Sequence, residues 1–253
     1  MSDNYDYIKI GDQILEYLNK ARRDPKWVAD ELSKLKKFYK EKQYRNTNYS
    51  FNVLTEEGYK AVEEAIFYLK TEARPVPELE LDIKLSKSSS ELVSYIGPKG
   101  LLNNDCQEMS IENRTKNQIE DVGQVSENVS FGWADPKEIV LQLIIDDGVK
   151  SRGHRKNIFD EKFTKVGLSV GPHKVYMHCS VIIFHGNSVH DGEVEFDKYM
   201  ISDEEWPENA ISLKKHINTY TQDNQKVIVI VFVFTLSDGE TVTKTKEIIE
   251  ENN

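Results

Sequence analysis

Apolar residues in the first part of the chain recur at intervals of three and four. Ile8, Gly11, Ile14, Leu15, Leu18 and Ala21 or Arg22 share one face and predict a helix over 8–22. Asp24-Pro25 closes that helix, or opens the next one as cap and first-turn residue. Trp27, Val28, Leu32, Leu35 and Phe38 extend an amphipathic helix over 26–42, and the polar stretch 43–52 reads as loop. A third helix starts at Thr55 and carries Ala61, Val62, Ala65, Ile66 and Leu69 inward. Arg74-Pro75-Val76-Pro77 breaks the chain, and 79–83 is short and extended, or a turn. Leu85, Ser88, Ser89, Leu92 and Val93 predict a fourth helix over 86–96, ended by Gly97-Pro98-Lys99-Gly100. Residues 101–122 are polar, a loop with one short helix near 111–116.

Asp135-Pro136 is an N-cap and first-turn pair for a helix over 136–146, with Ile139, Val140, Leu143 and Ile144 buried. The runs 166–170 and 175–184, joined by Gly171-Pro172-His173, predict an antiparallel hairpin. Residues 187–210 are acidic and irregular. Beyond them 211–221, 226–236 and 240–249 predict a three-stranded meander, turned at Asp223-Asn224 and Ser237-Asp238-Gly239. Its central run, Val227 to Phe234, is apolar at every position, so neither face suits water. Val227, Val229, Val231, Val233, Phe232 and Phe234 are therefore candidate interaction residues, either packed on the rest of the chain or presented to a partner. The expected organisation is a domain over 1–190, with a helical part at 8–96 and its signature region at 122–186. An acidic linker and β extension follow over 191–253.

Composition narrows the function classes. The formal net charge of -10 opposes a general nucleic-acid surface, which needs clustered Lys and Arg. The basic stretch 34–42 reads as a solvated helix face. No apolar run reaches the roughly 18 residues of a membrane span. The chain begins Met-Ser-Asp-Asn-Tyr-Asp-Tyr, with no apolar signal core, and has two cysteines, Cys106 and Cys179. A cytoplasmic setting without a disulfide-linked partner is the expectation. No nucleophile elbow, P-loop or dinucleotide fingerprint occurs. His178 and Cys179 are adjacent in a strand, so they point to opposite faces and form no dyad.

Two short regions carry more information. Glu127-Asn128 follows Ser126, and further along come Asp146-Asp147 and Gly153-His154-Arg155, with Asn157 and Ile158 after them. With Phe163, Val166 and Gly167 beyond, and Asn19 and Arg22 in an Asn-x-x-Arg pattern in the first helix, this pattern resembles the CAP superfamily. That family comprises the cysteine-rich secretory, antigen 5 and pathogenesis-related-1 proteins and is also called the SCP domain. The resemblance covers roughly 8–186. It implies an α/β fold, a CAP-type α-β-α sandwich, here with a C-terminal antiparallel β-meander extension.

The resemblance also implies a cleft holding two histidines and two acidic residues, which binds a divalent metal in some members. His154 and Glu127 carry over directly, and the second acid is Asp146 or Asp147. The first histidine position falls on Leu92, and a further one of some relatives falls near Leu101 or Leu102. No His precedes 154 in this chain. Zinc takes three or four N, S or O ligands, and one His with two carboxylates suits at most a weak hard cation. No cofactor is therefore expected. His154 and Glu127 remain weak metal candidates, and bracing roles for both are the blander alternative.

The reading that follows is a non-catalytic CAP-like module acting through protein partners in a larger complex, with no nucleic acid and no membrane span. The Asn-, Lys- and Tyr-rich composition suggests a protist, and a cilium or axoneme as the assembly. A metal-assisted hydrolase or protease using His154 and Glu127 is one alternative. A lipid- or sterol-binding CAP protein is another.

Overall fold

Ile14, Leu18 and Ala21 lie fully buried along one side of the first helix, α1 (Tyr7–Arg23), as their spacing predicts. Asp6 caps it by accepting the Lys9 N–H at 3.1 Å. The computed structural model describes residues 5–46, 51–102, 109–119, 123–186, 207, 210–222, 225–236 and 240–251. The chain divides into two units, 1–190 and 191–253.

In the first unit, Asp24 caps α2 (Pro25–Ser33) through the Trp27 N–H, with Pro25 at the first turn. The helix expected to reach residue 42 stops at Ser33. The chain tightens into a 3-10 turn (Lys34–Phe38) and then extends as β1 (Tyr39–Lys40), paired with β2 (Gln43–Tyr44), which pairs in turn with β3 (Val53–Leu54). Aromatic packing overrides the helical period here. The Tyr44 ring is buried and meets the rings of Phe38, Tyr39 and Trp133, contacts that a continued helix would not make. Glu41 turns the β1–β2 corner in the left-handed region, at φ 54°. The following helix, α3 (Tyr59–Thr71), begins at Gly58 rather than Thr55. Gly58 has φ 70°, and a Cβ there would lie 2.7 Å from the Glu41 carbonyl oxygen.

The remaining elements are β4 (Glu80–Leu81), α4 (Ile83–Lys99), α5 (Ile111–Lys116), β5 (Gln124–Phe131), α6 (Pro136–Ile145), α7 (Gly153–Phe159), β6 (Lys165–His173) and β7 (Met177–Gly186). Asp82 and Asp135 cap α4 and α6, each accepting two backbone N–H groups. Four strands form one sheet in the order β4-β6-β7-β5, parallel only between β4 and β6. The turn of the β6–β7 hairpin lies three residues later than its Gly-Pro-His sequence suggests, at 174–176.

Strand β7 is buried on both faces. Cys179, Val181 and Ile183 pack with Leu85, Leu92, Val93 and Ile96 of α4. Ile182 and Phe184 join the larger core with α1, α2, α3 and α6. Helix layers on both sides of the sheet make the α-β-α sandwich. Helix α4 sits close because β6 offers it glycines: a Cβ on Gly167 would fall 2.2 Å from the Leu85 carbonyl carbon, and one on Gly171 2.5 Å from Val93 Cγ1.

In the second unit, β8 (Ala210–Gln222), β9 (Gln225–Leu236) and β10 (Thr241–Glu251) form an antiparallel meander with β9 in the middle. The two faces of β9 differ. Phe232 and Phe234 are 1% and 0% exposed, whereas Val229, Val231 and Val233 are half-buried. The register places Glu247, Thr245 and Thr243, all exposed, opposite those three valines. The side chain of Val227 lies outside the described residues. Among the described residues no helix is long and apolar enough to cross a membrane.

Candidate functional site

Asp146 ends α6 in the left-handed conformation, at φ 57° and ψ 43°, and its side chain is 1% exposed. A carboxylate at a helix C-terminus opposes the helix dipole, so it needs donors from elsewhere. One oxygen accepts the backbone N–H groups of His154 (2.9 Å) and Arg155 (3.3 Å), and the other takes His154 Nδ1 at 2.7 Å. The carboxylate only accepts, so Nδ1 carries the proton and Nε2 of the neutral ring is left as an acceptor. The partner of Asp146 is thus the His154 ring and two amides, rather than the side chain of Arg152 or Arg155. Asp147 accepts the N–H groups of Glu56 (2.6 Å) and Glu57 (2.9 Å).

The two arginines of the signature reach α3 instead. Arg155, 2% exposed, holds Glu64 through two nitrogens at 2.7 and 2.6 Å and donates to the Ile144 and Ile145 carbonyls. Arg152, itself left-handed at φ 52°, grips both oxygens of Glu57 at 2.7 and 2.8 Å, touches Glu64 at 3.1 Å and donates to the Asp146 carbonyl. Glu57 and Glu64 were invisible as site residues in the sequence, because they lie some ninety positions upstream, Glu57 just before α3 and Glu64 within that ordinary amphipathic helix.

Glu127 faces elsewhere. Neighbours in a strand point to opposite faces, and in β5 the Asn128 amide donates to the His154 carbonyl at 3.0 Å while accepting from Asn157. The Glu127 carboxylate instead pairs at 2.5 Å with Arg114, a side chain 1% exposed that also donates to the Ser88 and Met109 carbonyls. Burial pushes the Glu127 carboxyl up, against the opposite pull of Arg114. No hydrogen bond or ion pair joins Glu127 to His154 among the described residues. Leu92, at the first histidine position, is core. These donors do not fit the divalent site that the resemblance implies, and among the described residues no group of three His, Cys, Asp or Glu could hold a metal. Among the described residues no hydroxyl or thiol side chain is hydrogen-bonded to His154.

His154, Asp146 and Asp147 border a cavity of about 280 Å³, whose lining also includes Tyr39, Tyr44, Trp133, Glu138 and Gln142. Glu127 is not in its lining. The other histidine and cysteine positions stay apart: His178 is hydrogen-bonded to Tyr7 at 3.2 Å, while Cys179 is a free thiol on the α4 side, pushed by burial to about 11. Cys106 and His190 lie outside the described residues. The Asn19 and Arg22 pair of α1 is structural. Asn19 donates to the Leu79 carbonyl and accepts the Leu79 N–H, and Arg22 clamps four carbonyls further along the chain.

Glu57 supplies a pH test of this frame. The hydrogen-bonded Arg152 guanidinium holds its carboxyl low, burial acts against that, and the Gly148 N–H helps. A folded pKa below the unfolded one means that the unfolded chain takes up the proton first as pH falls. The stabilisation is therefore complete above the ordinary carboxylate range and is lost as pH falls through the folded value. The stability gap between the wild type and Glu57→Gln, measured by urea unfolding, is expected to be flat near neutrality and to shrink in acid. A gap independent of pH down to about 3 contradicts this.

The family described as CAP, the cysteine-rich secretory protein family, matches residues 15–184. Among solved structures, an outer surface protein from Borrelia burgdorferi is similar at 16% identity and a TM-score of 0.39, over 51% of this chain and 90% of that one. An extracellular protein containing an SCP domain from Bacillus anthracis str. Ames is similar at 17% identity and a TM-score of 0.38, over 51% of this chain and 39% of that one. No curated protein matches the chain. With the family match spanning 170 of 253 residues (184 − 15 + 1), this chain belongs to the CAP family.

Proposed function

We propose that this chain is a non-catalytic CAP module that works by binding protein partners in a larger cytoplasmic assembly, such as an axoneme. The observation that carries the reading is the fate of Glu127. The acid that should share a cleft with His154 is paired with buried Arg114 on the other side of β5, and Leu92 fills the first histidine position with core. A metal-assisted hydrolase needs those groups convergent. The contact surface is the face of the meander carrying Val229, Val231 and Val233, edged by exposed Thr243 and Thr245. Apolar stripes with polar rims suit protein contacts.

The test is affinity capture of the tagged full-length protein from its own cells. Val231→Lys with Val233→Lys is expected to abolish stoichiometric partners, and His154→Ala with Glu127→Gln to spare them. The glutamine is used because an alanine would strand Arg114. Partners that survive the lysine pair, or about one metal ion per purified chain with turnover lost in His154→Ala, would overturn the proposal. Imaging of the same tagged chain locates the assembly.

A further inference from the structure

We propose that the cavity beside His154 is a binding site for a small quaternary ammonium compound of the choline type. Its walls carry three aromatic rings that touch in series. Tyr39 and Tyr44 have centroids 5.0 Å apart with planes inclined at 50°, and Tyr44 and Trp133 lie 6.2 Å apart at 64°. Aromatic faces attract alkylammonium groups within about 6 Å, and inclined rings surround such a group as one flat wall cannot. The cavity, about 280 Å³, lies near the low end of small-molecule pockets and suits a compact head group rather than a long apolar chain.

Charge chooses the sign of the ligand. Glu138, Asp146 and Asp147 are in the lining, and no Lys or Arg is in it among the described residues. The sole side chain there able to become cationic is His154, whose Nδ1 is already turned to Asp146. The carboxylates are felt at the rings. After burial, Asp147 raises the Tyr39 phenol most, and Glu138 adds to it. Tyr44 is pushed to about 12 by burial, with Asn46 opposing and Glu138 and Asp135 assisting. Both rings therefore keep neutral hydroxyls and electron-rich faces in neutral solution. An anion would meet three carboxylates here. A bare metal ion would meet mostly rings and aliphatic groups. A quaternary ammonium meets aromatic rings and negative charge in the same lining, and makes no hydrogen bonds that the cavity must supply.

The experiment titrates full-length protein with choline and with its neutral isostere, in which carbon replaces the quaternary nitrogen, following the ligand methyl lines by NMR. Choline is expected to bind at least roughly tenfold more tightly than the isostere, a preference of about 1.4 kcal/mol. Glu138→Gln and Tyr39→Leu are each expected to weaken choline roughly tenfold while leaving the isostere within about twofold. Circular dichroism melts establish which variants are folded. Choline that does not saturate, an isostere that binds equally, or choline binding unchanged in a folded variant overturns the proposal. If neither variant folds, the wild-type comparison of choline with its isostere decides alone.

Discussion

Replacing Arg22 with methionine is expected to destabilise the first unit by more than about 3 kcal/mol, among the largest effects of any single substitution in this chain. The side chain is 0% exposed, yet none of its hydrogen-bond acceptors is a carboxylate. Its guanidinium donates to the carbonyls of Pro77 (2.6 Å), Ile158 (2.7 Å), Asp160 (3.0 Å) and Phe163 (2.9 Å). Burial is the main influence on the group and draws its pKa down to about 10, with Asp160 opposing. It is still protonated at neutral pH, and the four carbonyls are what makes a buried charge tolerable. Methionine fills much of the volume and satisfies none of them. Lysine is not an adequate substitute, because a single ammonium cannot present the planar fork that reaches carbonyls from two separate segments. Urea unfolding followed by circular dichroism measures the loss. A methionine variant within about 1 kcal/mol of wild type would mean that water replaces the clamp.

Glu64→Ala is expected to cost about 3–5 kcal/mol, since it leaves the buried Arg155 without its counter-charge and the partly buried Arg152 short of one. Arg155 loses both of its carboxylate bonds, and Arg152 loses one partner while keeping Glu57. The effect should extend to the site. The Arg155 N–H is one of the donors that hold Asp146, and the Arg152 side chain holds the Asp146 carbonyl. Imidazole resonances of His154 should therefore shift in Glu64→Ala although the two residues share no contact. A double-mutant cycle of Glu64→Ala with Arg155→Met isolates the pair. Additive losses, with an unchanged His154 spectrum, would show that the α3 carboxylates do not support the signature loop.

Much of the scaffold is legible in local chemistry. The three-and-four spacing in α1, the Asp135-Pro136 start of α6 and the strand-length apolar run of the tail each place an element without help from distant contacts. Family resemblance marks Asn19, Arg22, Glu127, Asn128, His154 and Arg155. It marks them without roles, because the pattern does not say which residue meets which. Helix α7 escaped because seven residues with only Ile158 and Phe159 apolar show no period. The β1–β2–β3 corner escaped because Phe38 continues the helical spacing and the polar stretch 43–52 reads as loop until Trp133 packs on Tyr44 and Phe51.

Sequence alone determines the order and type of most elements, the absence of any His before 154 and the apolar character of β9. These depend on neighbours within a few positions, where helical and strand periods are enforced by backbone geometry. Tertiary structure alone decides that Glu127 pairs with Arg114, that Arg152 and Arg155 turn to Glu57 and Glu64, and that Tyr39, Tyr44 and Trp133 wall a cavity with three carboxylates. Partners separated by up to ninety-five residues are chosen by burial. An ion taken out of water must find its counter-ion wherever the fold brings one within reach, and nothing local to either residue names the other.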